Sequence, residues 1–520
     1  MRRRCFWTWI WMVVALSLMI AGCNSQVLNN KDAKSGVFYE IFVRSFYDSN
    51  GDGIGDLRGV TMKLDYLQEL GVSGIWLMPI HPSPSYHGYD VTDYYTVNPD
   101  YGTLDDLKQL TEEAHKRGIS VIIDFVANHT SDKHPWFVDS AKGKDNPYRN
   151  WYIWNEGENT KLPADGATGA YPWHDLGGSR YLGIFWEGMP DLNFDEPAVR
   201  SEMIKIGQFW LKQGVDGFRL DAAKHVNEDF KSTAASPETK QKNVAWWQEF
   251  RNGLNEVKKD AYVVGEIWDS PVVIAPYLEQ ALDEGFNFDL AKKLVSAASR
   301  ETDADIAFAL NRTYGLYAKY TGGKIADAPF LTNHDQNRVM SELEGDLNHA
   351  KTAAAMLMTL PGTPYMYYGE EIGMKGMKPD EYIREPMLWG EEGDKGQTRW
   401  ETSRYNVKDP VTVSASKSDK SSLWYTYQML IDWRKREPLL RTGGIDEFTT
   451  GNALVTAYLR TAEKERVLVV HNMSGSEQTV KVAVPQDQKA FGKVTLASSE
   501  GIELSGSELK LPPYASAILK

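Results

Sequence analysis

Gly217-Phe218-Arg219-Leu220-Asp221-Ala222-Ala223-Lys224-His225 places an arginine and, two residues on, a carboxylate at the C-terminal end of a short apolar strand. Two later runs end in the same way. Glu266 closes Tyr262-Val263-Val264-Gly265, and Asp335 closes Phe330-Leu331-Thr332-Asn333-His334. One carboxylate at a strand end is an ordinary cap. Three, each ending a different buried strand, are what a parallel barrel gathers around one bond, because such barrels build their sites at the C-terminal ends of their strands.

Around these runs, short apolar strands alternate with helical stretches. Strands are expected at 37–43, 74–80, 120–126, 215–220, 261–268, 285–290, 329–335 and 363–368. Their near-continuous apolar character fits strands buried on both faces of a parallel sheet. The stretch 105–117 carries apolar residues at Leu107, Leu110 and Ala114 and is closed by Gly118, which predicts a helix. Eight strand–helix units predict a (β/α)8 TIM barrel. Residues 129–191, between the third and fourth strands, are too many for a simple connection and predict an inserted B domain. The barrel is expected at 37–128 and 192–436, its last helix ending near Arg436. Alternating runs at 454–459, 467–471, 480–484 and 493–496 predict a C-terminal antiparallel β-sandwich over 437–520.

A chain of 520 residues with 42% hydrophobic and 25% charged residues is an ordinary globular protein with room for several domains. Its net charge of -14 argues against nucleic acid as a partner, which needs a basic surface, but leaves a neutral ligand open. The 17 Trp and 26 Tyr offer flat platforms as well as core. Both cysteines, Cys5 and Cys23, lie in the first segment, so the body has no disulfide. Arg2-Arg3-Arg4, an apolar stretch from Phe6 to Ala21 and Ile20-Ala21-Gly22-Cys23 form a secretory signal over 1–22. Its end resembles a bacterial lipobox, which implies lipidation of Cys23 and export to the outer face of the cell membrane. Ordinary cleavage and secretion is the alternative. Residues 23–36 read as a tether.

The dispersed blocks resemble the α-amylase family, glycoside hydrolase family 13. They are Gly74-Ile75-Trp76-Leu77-Met78-Pro79, Asp124-Phe125-Val126-Ala127-Asn128-His129, Met189-Pro190-Asp191-Leu192-Asn193, Gly217 to His225, Gly265-Glu266-Ile267-Trp268, Phe330 to Asp335, and Gly362 to Glu370. The resemblance implies barrel, B domain and C-terminal sandwich. It also implies that Asp221 is the nucleophile, Glu266 the general acid/base, and Asp335 the third carboxylate that holds substrate hydroxyls. Retaining hydrolysis needs one ionised carboxylate to form a glycosyl-enzyme and one protonated acid to release the leaving oxygen. Arg219 is expected to keep Asp221 ionised, and burial among like charges to raise Glu266. His129 and His334 resemble the family's histidines around the reacting sugar. Tyr89, in Tyr86-His87-Gly88-Tyr89-Asp90, resembles its aromatic platform, with Asp90 beside it. Lys224 and His225 resemble the pair that contacts leaving-side sugars.

Asp48-x-Asn50-x-Asp52-Gly53-Ile54-x-Asp56 has the spacing of a calcium loop, with the Ile54 carbonyl as a further ligand. Gly59 at the twelfth position excludes an EF-hand. The resemblance implies a second calcium at Asn128, Asp191 and the His225 carbonyl, with Asp175 as a candidate further ligand. Ca²⁺ is therefore the expected cofactor. The expected partners are starch, maltooligosaccharides and related α-glucans, with the membrane reached through a lipid on Cys23. The protein is expected to act as a monomer. The block MPDLN lies between the neopullulanase pattern MPKLN and the oligo-1,6-glucosidase pattern QPDLN. A first strand near residue 37 leaves no room for the N-terminal domain of neopullulanases and cyclomaltodextrinases. Cleavage of α-1,4 bonds is the expectation, with a neopullulanase-like or oligo-1,6-glucosidase-like hydrolase as the alternative. A non-catalytic glucan-binding protein is a remote third, because such relatives lose catalytic carboxylates that are all present here.

Overall fold

The structure, a computed structural model, describes residues 36–156, 166, 169–227, 236–390, 394–408, 410–463, 465–484 and 489–520. The expected signal, the Cys23 anchor and the tether up to residue 35 lie outside the described residues. The eight barrel strands are Phe38–Ile41, Gly74–Leu77, Ser120–Phe125, Gly217–Leu220, Tyr262–Gly265, Glu284–Phe286, Asp327–Ala328 and Tyr365–Tyr367. All neighbours pair in parallel, and the first strand pairs with both the second and the eighth. A single parallel bridge, Phe330 to Tyr365, closes the ring between the seventh and eighth. The molecule is a TIM barrel with a C-terminal β domain.

Every expected strand is longer than the one observed, and the sixth and seventh depart most, for local reasons. The sixth reaches only Phe286, because the Asn287 side chain accepts from the Leu290 amide at 3.0 Å and starts the helix Phe288–Arg300. The seventh is Asp327–Ala328 rather than 329–335. Pro329 has no N–H for a ladder. The Asn333 side chain accepts from the Asp335 amide at 3.0 Å, turning the chain and lifting His334 and Asp335 over the mouth of the barrel.

The barrel interior is a packed plug, not a pore. Phe38 stacks between Tyr262 and Tyr365 at 5.3 and 5.1 Å, with Trp76, Ile122, Val264 and Phe286 filling the same layers. Gly74 is required here, since a Cβ would lie 2.4 Å from the Phe38 ring. Outside, helices bury their apolar stripes on the strands. Leu104–Lys116 is fixed by a capping box between Thr103 and Asp106 and buries Leu107, Leu110 and Ala114.

The insertion after the third strand carries the helix Pro135–Ser140 and a small antiparallel sheet of Trp154–Asn155, Trp173–Leu176 and Ser179–Leu182. It returns where it left, through a bridge between His129 and Asp191 and a bond from the Leu192 amide to the Asn128 carbonyl at 2.9 Å. In the C-terminal domain a five-stranded and a three-stranded antiparallel sheet enclose Val455, Leu468, Val470, Val480, Leu509, Leu511 and Leu519. Arg460 fastens this domain to the barrel by donating to the Thr359 carbonyl at 2.6 Å.

Candidate active site

The site forms where the strand ends meet, and Arg219 is its hub. Its guanidinium is 1% exposed. Nη1 contacts Asp124 Oδ1 and Asp221 Oδ1, both at 2.6 Å, and Nη2 reaches Glu266 Oε2 at 2.8 Å. Three carboxylates from three strands thus share one cation, in the charge-assisted geometry that suits a planar fork. Glu266 also accepts from the Ala222 amide at 3.0 Å. Ala222 has φ of 44°, a left-handed conformation that costs an L-residue about 1–3 kcal/mol and aims this N–H at the carboxylate.

Asp335 sits opposite. It meets His334 Nε2 at 3.2 Å and accepts from Arg384 Nη2 at 2.9 Å. His334 Nδ1 lies 2.5 Å from Glu40 Oε1, and its Nε2 lies 2.7 Å from the Tyr89 hydroxyl. The Tyr89 ring stacks on His334 at 5.6 Å, and its hydroxyl donates to Asp124 Oδ2 at 3.3 Å. Trp76 donates to the same Asp124 oxygen at 3.0 Å. Asp221, Glu266, Asp335, Arg219, Tyr89 and His334 therefore form one connected cluster.

Burial and neighbours set distinct charge states within it. Burial raises Glu266 above the ordinary carboxylate range, with Asp221 and Asp335 adding to the shift and Arg219 opposing it. Burial also raises Asp221, while Arg219 opposes the shift and favours its ionised form. Asp124 is pushed up to about 7 by burial against Arg219. Burial alone would raise Asp335 too, but His334, Arg384 and Arg219 hold it far below the usual carboxylate range.

The remaining expected residues lie around this cluster. Asp90 is buried and accepts from the hydroxyls of Ser83 (2.5 Å) and Ser85. His129 points Nε2 at the Tyr89 carbonyl at 3.2 Å, and burial lowers it to about 4, so it is neutral. Lys224 sits at the rim, where Nζ donates to the Trp268 carbonyl and to Asp269 at 3.2 and 3.1 Å. His225 faces the edge of Phe185 at 5.6 Å, and Phe185 also meets His129 at 5.2 Å, so the insertion forms one wall.

Sequence reasoning missed Asp124, Glu40, Arg384 and Phe185. Asp124 interrupts the third apolar run and Glu40 the first; both signals were present. Arg384 lies 49 residues beyond Asp335 in the loop after the eighth strand and carries no local signature.

The first calcium loop is a set of hard oxygen donors. Asp48 accepts from the amides of Asn50, Gly51 and Gly53, Asp52 from the Ile54 amide, and Asp56 from Ser49 and the Gly59 amide. Asp48, Asn50 and Asp52 supply oxygens of calcium's chemistry on this one loop, while both Asp56 oxygens are taken by Ser49 and Gly59. Among the described residues no three His, Cys, Asp or Glu side chains converge as a ready-made metal group. In the second set the Asn128 amide meets Asp191 Oδ1 at 3.1 Å, and turning that amide over would present its oxygen beside the carboxylate. Asp175 is 83% exposed and paired with Arg180, away from this contact.

A family model described as "Alpha amylase, catalytic domain" matches residues 40–443, and one described as "Alpha-amylase SusG C-terminal domain" matches 455–518. The chain is 41% identical over 489 residues to "Alpha-amylase 3" of Dictyoglomus thermophilum, covering 94% of this chain and 93% of that protein. It is 32% identical to an oligo-1,6-glucosidase of Parageobacillus thermoglucosidasius, covering 94% and 98%. The crystal structure of an α-amylase from H. orenii superposes with a TM-score of 0.86 at 43% identity, covering 94% of this chain and 99% of that one.

Proposed function

This chain belongs to the α-amylase family of glycoside hydrolases, and from that premise we propose that it cleaves α-1,4-glucosidic bonds within starch, maltooligosaccharides and related α-glucans, with retention of configuration. The observation that carries the reading is the single Arg219 guanidinium bridging Asp221 and Glu266. Burial displaces both carboxyls upward while the shared guanidinium opposes the shift, so their titrations are coupled.

The reaction needs a proton on Glu266 beside an ionised Asp221. Glu266 passes it to the glycosidic oxygen as the bond to the anomeric carbon breaks and its electron pair moves to that oxygen. Asp221 simultaneously bonds to the anomeric carbon, forming the glycosyl-enzyme. The Glu266 carboxylate then takes a proton from water, the water oxygen attacks the anomeric carbon, and Asp221 leaves. Asp335, kept ionised by His334 and Arg384, accepts hydrogen bonds from sugar hydroxyls, while Tyr89 supplies a flat face.

The oligo-1,6-glucosidase likeness supports a second reading, cleavage of α-1,6 bonds. A product profile on amylose, pullulan, cyclodextrin and isomaltose separates the two. Internal cuts in amylose with α-configured products support the first. Turnover of isomaltose with amylose untouched refutes it. Asp48, Asn50, Asp52 and the Ile54 carbonyl would hold a calcium ion that stabilises the loop after the first strand and takes no part in the reaction. The mature protein is held outside the membrane by acyl chains on Cys23.

A further inference from the structure

His334 is caught between carboxylates from opposite directions. Nδ1 lies 2.5 Å from Glu40 Oε1, and Nε2 faces Asp335 Oδ2 at 3.2 Å and the Tyr89 hydroxyl at 2.7 Å. The contact with Glu40 is dry, His334 being 0% and Glu40 2% exposed, whereas Asp335 on the other side is 31% exposed at the mouth of the site. The donors can be assigned. An ionised carboxylate only accepts, so Nδ1 carries a proton toward Glu40. Nε2 faces the Asp335 carboxylate at 3.2 Å, which is held ionised and only accepts, so Nε2 carries a second proton and leaves the Tyr89 hydroxyl free to donate to Asp124 Oδ2.

We propose that Glu40 is a positioning residue that holds His334 as a permanently charged imidazolium, which in turn fixes the Asp335 carboxylate and the Tyr89 ring for the hydrolysis described above. The proposal rests on that reading only for its kinetic arm. The carboxylates facing His334 favour its charged form, and two cations oppose it. Glu40 approaches from the first strand, Asp335 from its own turn, and Asp124 and Asp221 from the third and fourth strands. The cations are Arg384, whose Nε donates to the His334 carbonyl at 3.0 Å, and Arg219 across the site. Trp76 packs edge-on at 5.5 Å and keeps water out. Burial alone would lower the imidazole, yet Asp335 and Glu40 raise it to about 10.

An isolated neutral histidine could not satisfy both directions, because one nitrogen would then be an acceptor facing an acceptor. Loss of the proton would release either Glu40 or the Asp335–Tyr89 side. The parallel stack of Tyr89 on His334, tilted by only 14°, depends on the second of these. Glu40→Gln removes the charge and keeps the shape. Its amide either accepts from Nδ1 without a full charge or turns and donates to it, and both outcomes favour the neutral ring.

Nitrogen NMR of [¹⁵N]histidine-labelled full-length protein tests the inference, with the His334 signals assigned by their loss in His334→Asn. In the wild type both ring nitrogens should keep protonated shifts from pH 5 to 8.5. In Glu40→Gln the ring should lose a proton within that window. The kinetic arm compares kcat/KM at pH 5.5 and pH 8, where the ratio should be at least tenfold larger in Glu40→Gln than in wild type, with thermal unfolding unchanged at pH 5.5. A neutral His334 in the wild type at pH 7 overturns the proposal whatever the enzyme hydrolyses. A Glu40→Gln variant whose His334 stays charged and whose pH ratio is unmoved also overturns it.

Discussion

Replacing Glu284 by glutamine should stabilise the protein at neutral pH and do little at acid pH. Glu284 lies on the sixth strand at the floor of the barrel, 6% exposed, and its oxygens accept from the Tyr262 hydroxyl at 2.6 Å and the Thr363 hydroxyl at 2.8 Å. Burial pushes its carboxyl up to about 8, which the two hydroxyls only partly offset, against 4.5 for the free side chain. Below pH 4.5 both folded and unfolded states are protonated, and the full stability is present. As the pH rises from there toward 8, the unfolded state ionises first, and stability falls by about 1.4 kcal/mol per unit. The loss is about 3 kcal/mol at pH 7 and about 5 kcal/mol above pH 8. Glutamine has no such term. With an unfolding entropy of roughly 2.1 cal/mol/K per residue over an unfolding unit of roughly 400 residues, 3 kcal/mol corresponds to roughly 4 °C. Scanning calorimetry of both proteins at pH 4.5 and pH 7 measures this. The melting-temperature difference, variant minus wild type, should grow by about that amount between the two, other titrations being common to both. Parallel curves would show that Glu284 stays paired and ionised in the fold, and the argument from burial would fail.

Asp221→Asn and Glu266→Gln should each leave less than about a tenth of wild-type kcat on starch, a cost above ~1.4 kcal/mol, with the fold retained; greater residual activity would reassign that residue. Chelation should lower the melting temperature and added calcium restore it, with Asp52→Ala blunting the response, because a ion bound only by the folded state stabilises it by mass action. An unchanged curve after verified metal removal would end the calcium proposal. Radiolabelled fatty acid should mark the wild type and not Cys23→Ser in a host with the lipidation pathway; equal labelling, or none of either, would refute the anchor.

The sequence carried the barrel because both of its periodicities are local. Apolar runs of strand length and the spacing of Leu107, Leu110 and Ala114 can be read within a dozen residues, and the errors were local as well. Leu290 reads as strand by hydrophobicity, but one Asn287 side chain caps a helix beneath it. Phe330 and Leu331 likewise read as strand until Pro329 and Asn333 are weighed as breakers. The site divides on the same line. Asp221, Glu266 and Asp335 were legible because each ends its own run. Their charge states were legible only in part: Arg219 and His334 stand beside Asp221 and Asp335 in the chain, but the other groups that set them arrive from distant segments. Glu40 lies 294 residues before His334, Asp124 lies 95 before Arg219, and Arg384 lies 49 after Asp335. A closed barrel brings such pairs within hydrogen-bond distance simply by lining up strand ends, and no local pattern records which pairs those will be. It follows that the carboxylate most easily overlooked in a chain of this kind is one like Glu40, embedded in an apolar strand. A charged side chain buried there is costly unless something across the ring holds it. Its presence in the first strand therefore already implied a cationic or proton-donating partner, and the structure supplies His334.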